Sequence, residues 1–357
     1  MNRDVNDRIH RQIITQGMAG AQACDPAVGS KEPCEWFSAM LYEGEMQDCS
    51  ETIKRYVLAG CAIVAVFVPA WAQTPSTSPT PAPPSSDIFI VDLKNRNGQL
   101  KFGRPMKITT VVGYNNQPSF LPNGRSIFYT SIRGKQADIY RYEIHSGETA
   151  QVTNTQESEF SPTQMPDGKN ISVVRVEADG TQRLWKFPLA GGAPALILEN
   201  IKPVGYYLWI DDHTLALFIL GTSGKPNTLQ IVDTRTGKAE VVADNPGRIL
   251  RRIPNQNKFS FVHKISDREW TIKAFDLRMR TSASLIATVP GVEDYAWLPD
   301  GRLLMAKDSK LFAVTPLIGK DWVEIADFSQ AGLTRITRIA VSPKADRIAM
   351  VAVSTSR

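Results

Sequence analysis

No cysteine follows residue 61. All four in the chain, Cys24, Cys34, Cys49 and Cys61, lie before the region with a regular pattern. This excludes a disulfide framework, a thiolate zinc site and a cysteine nucleophile from the rest of the chain, and it fits an oxidising compartment, where a stray thiol is a liability. Basic runs are also missing. The 41 Lys and Arg against 36 Asp and Glu give a net charge of +5, and the excess is spread over the part beyond residue 72, without the clusters that mark nucleic-acid binding. Long apolar stripes at helical spacing are absent after residue 86.

Signatures of chemistry are missing as well. There is no Gly-x-Ser-x-Gly nucleophile elbow, no sialidase Ser-x-Asp-x-Gly-x-Thr-Trp box, and no Walker or dinucleotide glycine loop. Gly221-Thr-Ser-Gly224 reads as a turn. His145, His213 and His263 stand far apart, never at His-x-x-x-His spacing. No catalytic residue, metal or other cofactor is therefore expected.

What is present comes in two parts. Residues 1–53 are polar and irregular, either a genuine extension or an upstream start, with Met46 favoured as the true start. Residues 54–72 carry Lys54 and Arg55, an apolar run from Tyr56 to Val68, and Ala70-Trp-Ala72 as a cleavage site. That pattern reads as a signal peptide cut after Ala72. The alternative is a membrane anchor formed by uncleaved residues 56–72, although the run is short for a span and contains Pro69. Leu58-Ala-Gly-Cys61 looks like a lipobox but precedes most of the apolar run. Residues 73–86 form a Pro/Ser/Thr tract expected to be a disordered linker.

From residue 87 the pattern is all-β. Short apolar alternations are separated by Gly, Pro and Asp/Asn turns. One motif recurs: Phe120-Leu-Pro-Asn-Gly-Arg, Gln164-Met-Pro-Asp-Gly-Lys and Trp297-Leu-Pro-Asp-Gly-Arg. Aligned on the turn proline, the copies fall at Pro122, Pro166, Asp211 (degenerate), Pro254, Pro299 and Pro343, at intervals of 44, 45, 43, 45 and 44. Four short strands per repeat of this length specify the blades of a β-propeller. The last repeat stops after its second strand, while 87–93 reads as a third strand without its own first two, followed by a fourth at 107–112. The expectation is a six-bladed propeller of four-stranded blades, whose N-terminal strands complete the C-terminal blade and leave no open edge.

The copies Pro118-Ser-Phe-Leu-Pro-Asn-Gly-Arg-Ser-Ile and Tyr295-Ala-Trp-Leu-Pro-Asp-Gly-Arg-Leu resemble the WD-like repeat of the TolB-like propellers, roughly Pro-x-Trp-Ser-Pro-Asp-Gly-x-x-Ile. The resemblance covers residues 87–357. TolB carries an α/β domain before its propeller, for which this chain has no room, so a stand-alone propeller is expected. The resemblance implies a periplasmic or secreted protein that binds other proteins.

The copies differ most five to seven residues before the turn proline, where the innermost strand of each blade starts and rims the channel. The candidate binding residues there are Asn116, Gln117, Glu159, Ser161, Tyr206, Arg248, Glu293, Asp294 and Arg338. Mixed charge and aromatic character suits recognition of a peptide or protein. Asn115, Asn116, Glu159, Glu293 and Asp294 could together favour calcium, but Arg248 and Arg338 at equivalent positions argue against a dense cation site. Trp185, Trp209, Trp270, Trp297 and Trp322 read as packing residues. The expectation is an exported, monomeric, non-enzymatic scaffold for a cell-envelope protein or peptide, with no nucleic-acid partner and no stable membrane span once the signal is removed. A channel-based, metal-dependent hydrolase or lyase acting on carbohydrate or lactone is the alternative.

Overall fold

A computed structural model describes residues 84–319 and 321–354. The polar extension, the signal peptide and nearly all of the linker lie outside the described residues. Ser86, at the linker's end, is buried, and its hydroxyl donates to the Asn115 carbonyl at 2.9 Å.

The described chain forms six antiparallel blades around a ring. Innermost to outermost, blade 1 comprises Asn115–Phe120, Ser126–Arg133, Gln136–Glu143 and Thr149–Gln151. Blades 2, 3, 4 and 5 repeat this order from innermost strands Ser158–Gln164, Val204–Trp209, Pro246–Arg252 and Tyr295–Trp297. Blade 6 joins the two ends of the fold. Leu333–Val341 and Arg347–Ser354 come from its C-terminal side, and Asp87–Arg96 pairs with Arg347–Ser354 from Asp87↔Ala352 to Asp92↔Arg347.

The turn after each innermost strand shows why the motif recurs. Gly124, Gly168 and Gly301 adopt left-handed φ of 66°, 66° and 85°. Asn123 and Asp167 each accept a backbone N–H two residues on, at 2.8 Å. In the degenerate copy Asp211 Oδ1 accepts from His213 and Thr214 N–H, at 2.9 and 2.8 Å, and replaces the missing proline turn.

Second strands such as Thr214–Ile219 and Arg347–Ser354 are nearly continuous apolar runs. Each blade packs on both faces, so these strands are buried on both sides and lose the usual alternation. Six apolar clusters result, one at each junction between neighbouring blades. A large apolar side chain buried there contributes about 1.5–3 kcal/mol.

Two local features differ from the sequence expectation. The fourth strand of blade 6 was expected at 107–112, but only Met106–Lys107 pairs as a strand, with Phe89 and Ile90. Beyond it Thr109 takes over with its side chain: its hydroxyl accepts from Ile88 N–H at 3.2 Å and donates to Asp87 at 2.7 Å. The closing strand also continues into a hairpin with Gln99–Phe102 through Asn97-Gly98, both at positive φ. That dipeptide is a strong two-residue hairpin signal. Among the described residues, one 3-10 turn occupies Ser329–Ala331 and ends at left-handed Gly332.

Candidate functional site

Five innermost strands carry a β-bulge at the position where the repeats diverge. Pairing slips between Asn116 and Ser119, Phe160 and Thr163, Val204 and Tyr206, Pro246 and Leu250, and Ile336 and Arg338. In blade 5 the innermost strand is shorter, and Glu293 and Asp294 lie just before it. Most of the candidate residues therefore sit within bulged strands, rather than ahead of them as the sequence suggested. Gln117 and Ser161 hold left-handed φ of 56° and 55°, an uncommon state for side chains of their size.

A bulge removes backbone N–H groups from the ladder, and buried N–H groups need acceptors. Side chains one repeat away supply them. Gln117 Oε1 accepts from Ser161 N–H at 2.8 Å, Asp294 Oδ1 from Ile339 N–H at 2.8 Å, and Glu293 Oε2 from Arg248 N–H at 3.3 Å. Two serines act similarly deeper between blades: Ser172 Oγ accepts from Trp209 Nε1 at 2.9 Å, and Ser260 Oγ from Trp297 Nε1 at 2.8 Å and the Tyr295 hydroxyl at 2.9 Å.

The two arginines reach farther. Arg338 of blade 6 donates to the Tyr206 hydroxyl of blade 3, on the opposite side of the ring, at 3.3 Å, and its guanidinium lies 5.5 Å from the Tyr206 ring centre. Arg248 of blade 4 donates to the Thr337 carbonyl of blade 6 at 3.4 Å. Glu293 holds Arg248 at 3.0 Å and Lys264 at 3.0 Å, while Asp294 stands 3.8 Å from Arg338. These side chains cross the channel and form its floor. Burial pulls the Glu293 carboxyl upward, but Arg248 and Lys264 outweigh it and hold the group below its ordinary range. Burial wins at Asp294, which is raised despite Arg338, Arg248 and Arg251. It also pushes the nearby Tyr114 phenol up to about 12.

From this floor a cavity of about 620 Å³ extends to the turns at the far ends of the innermost strands, where Pro254, Pro299 and Pro343 line it. Of the nine candidate residues, Gln117, Ser161, Tyr206, Arg248, Asp294 and Arg338 line it, and Asn116, Glu159 and Glu293 do not. Asn116 accepts from its neighbour Gln117 N–H. Glu159 lies fully buried in a separate polar cluster, paired with Arg175 at 3.3 Å and accepting from Thr155 at 2.6 Å. Arg175 also pairs with Glu157 and lies 4.8 Å over the Trp185 ring. Burial raises the Glu159 carboxyl to about 7, against the lowering pull of Thr155, Thr153 and Arg175.

Sequence reasoning missed Arg251, Arg252 and Ser342, which line the walls, and treated Trp297 as packing alone, although it lines the wall too. Residues 248–252 line the cavity consecutively, so following the strand onward from Arg248 reaches Arg251 and Arg252. Among the described residues, no group of three or more His, Cys, Asp or Glu converges to hold a metal ion, and no helix is long and apolar enough to cross a membrane.

No known family profile matches the chain. A stretch of 93 residues is 26% identical to an uncharacterised protein of Agrobacterium fabrum (strain C58), covering 26% of this chain and 29% of that relative's length. Among solved structures, a candidate TolB from Agrobacterium tumefaciens superposes with a TM-score of 0.57 at 14% identity, over 75% of this chain and 98% of that one. A chain of the nidogen/laminin complex gives 0.52 at 12% identity, over 75% and 99%. TolB from Acinetobacter baumannii gives 0.49 at 13%, over 75% and 64%. At these identities the likeness is one of fold, and the fold is the six-bladed propeller of the TolB-like kind.

Proposed function

We propose that the protein is exported and serves as a non-enzymatic scaffold, binding a protein or peptide of the cell envelope in the channel at the end bounded by Pro254, Pro299 and Pro343. The observation that carries this reading is the cavity of about 620 Å³, walled by strands of all six blades and floored by cross-channel arginines. Its size falls in the range of ligand pockets. Tyr206, Tyr207, Trp297 and the arginines are the residue types that dominate recognition energies. One solved structure of the same fold belongs to a complex between two proteins, nidogen and laminin. Export rests on residues 54–72, with a mature N-terminus at Gln73.

The test is affinity capture from a cell-envelope fraction with wild-type protein and with Arg338→Glu. A partner retained by the wild type and lost by the variant supports the reading. Failure of the wild type to retain any envelope protein, or equal retention by both, overturns it.

A further inference from the structure

The channel holds more positive charge than its own carboxylates neutralise. Arg248, Arg251, Arg252 and Arg338 line it, and Asp294 is the one acidic residue in the lining. Glu293, behind the wall, balances Arg248. Arg338 shares Asp294 at the loose distance of 3.8 Å. Arg251 donates to the carbonyl of its own neighbour Leu250 at 3.3 Å and, among the described residues, has no carboxylate within ion-pair distance. A cavity lined by one sign of charge concentrates ligands of the other sign.

A second observation points the same way. Gln117 is buried, lines the floor, and has its amide orientation fixed: Ser161 N–H can only donate, so the atom it meets at 2.8 Å is the oxygen, which also accepts from Thr130 at 2.8 Å. Among the described residues, the Gln117 Nε2 donor has no hydrogen-bond partner. A buried donor without an acceptor is costly, and a ligand oxygen would satisfy it. The Arg338 N–H occupies an acceptor site of the Tyr206 hydroxyl, so that hydroxyl has its own proton to give. Gln117 Nε2 and the Tyr206 hydroxyl thus add two donors to the floor, beside the Asp294 carboxylate.

We infer that the channel selects an acidic segment of its partner, pairing a carboxylate with Arg251 and Arg338 and hydrogen-bonding it through Gln117 Nε2. The guanidinium fork suits a planar carboxylate. Trp297 and Tyr207 along the wall give an extended peptide its apolar contacts. This rests on the channel being the binding face.

The test titrates full-length protein, by calorimetry and by tryptophan fluorescence, with four probes: capped oligoglutamate, oligoalanine with a free C-terminal carboxylate, capped oligolysine, and inorganic phosphate. Binding of either carboxylate peptide, with none for oligolysine and weakening at high salt, is expected. Which of the two binds identifies a side-chain or a chain-terminal source. Arg251→Gln should weaken binding about tenfold or more, and its fold should survive because no carboxylate is orphaned. Gln117→Glu keeps the acceptor oxygen, replaces the free donor with a negative oxygen, and should weaken binding at least as much. Unfolding midpoints of both variants exclude a folding defect. Absence of binding by both carboxylate peptides, equal binding of oligolysine, indifference to Arg251→Gln, or phosphate binding as tightly as the peptides each overturns the inference. An envelope partner captured equally by wild type and Arg251→Gln would sink the acidic assignment and leave the scaffold reading standing. If no partner is captured and no carboxylate peptide binds, both fail.

Discussion

Gln117 and Ser161 lie 44 residues apart, and the side-chain oxygen of the first accepts the backbone N–H of the second at 2.8 Å. Both residues hold left-handed backbone. The bond joins two bulges on neighbouring blades, so each irregularity is stabilised by the next. Gln117→Leu leaves Ser161 N–H and the Thr130 hydroxyl without their acceptor. The expected loss is about 1–3 kcal/mol in urea unfolding. Thr130→Val, which removes one donor and leaves the bond from Ser161 N–H to Gln117 Oε1 in place, should lose less, and equal losses would refute the account.

Ser260 carries a heavier burden. Its hydroxyl accepts from Trp297 and Tyr295 and donates to the Arg251 carbonyl at 3.2 Å. Ser260→Ala should destabilise by about 1–3 kcal/mol and change tryptophan emission as Trp297 loses its partner. Ser260→Thr keeps the hydroxyl and should restore the emission. A wild-type spectrum for Ser260→Ala would show that the contact does not hold in solution.

Gly247 tests the close packing behind the floor. A Cβ there would stand 2.8 Å from Val262 Cβ and 3.0 Å from Glu293 Oε2. Gly247→Ala must displace the strand or the carboxylate that holds Arg248 and Lys264. A cost of about 1–3 kcal/mol is expected, read as a lower thermal midpoint. Gly319→Ala is the control, because its φ, like that of Gly247, is not left-handed and its Cβ would come no nearer than 3.4 Å, to Val314 Cγ2. If both substitutions cost the same, crowding is not the cause.

Glu159 makes stability depend on pH. Its folded-state value of about 7 lies above the ordinary 4.5. Below 4.5 the group is protonated in both states. Between 4.5 and 7 the unfolded chain releases the proton first, so stability falls as pH rises through this window. Asp138, hydrogen-bonded to Thr153 in the same cluster, is raised too and acts in the same sense. Arg175 and Glu157 are the neighbouring charges. Between pH 5 and 7.5 the wild type should lose about 1–3 kcal/mol more than Glu159→Gln. Parallel pH profiles of urea unfolding would falsify this.

The ring, its blade count and its closure could be read from the sequence because turn chemistry is local: Pro-Asp-Gly and its variants dictate a hairpin wherever they occur. The bulges could not, because a bulge is a property of two paired strands. They explain which candidate residues reached the channel. Side chains alternate along a strand, and one extra residue reverses that parity. Glu159, before the bulge of blade 2, turns into a separate buried cluster, while Ser161, inside the slip between Phe160 and Thr163, faces the cavity. Counting back from the turn proline treated the two as one set. Arg251 was missed for the complementary reason: it lies beyond the divergent positions, on a strand that looked like plain scaffold.

The pairing of Asp87 with Ala352 sets a clock. Ribosomes add roughly 5–20 residues per second, so the partner of the first strand emerges about ten seconds to a minute after it. Until then Ile88-Phe-Ile-Val91, all buried in the finished ring, is a sticky segment with only the two-residue strand Met106–Lys107 to pair with. The earliest strand made is among the last to be placed, and the newborn chain depends on whatever shields that segment during the wait.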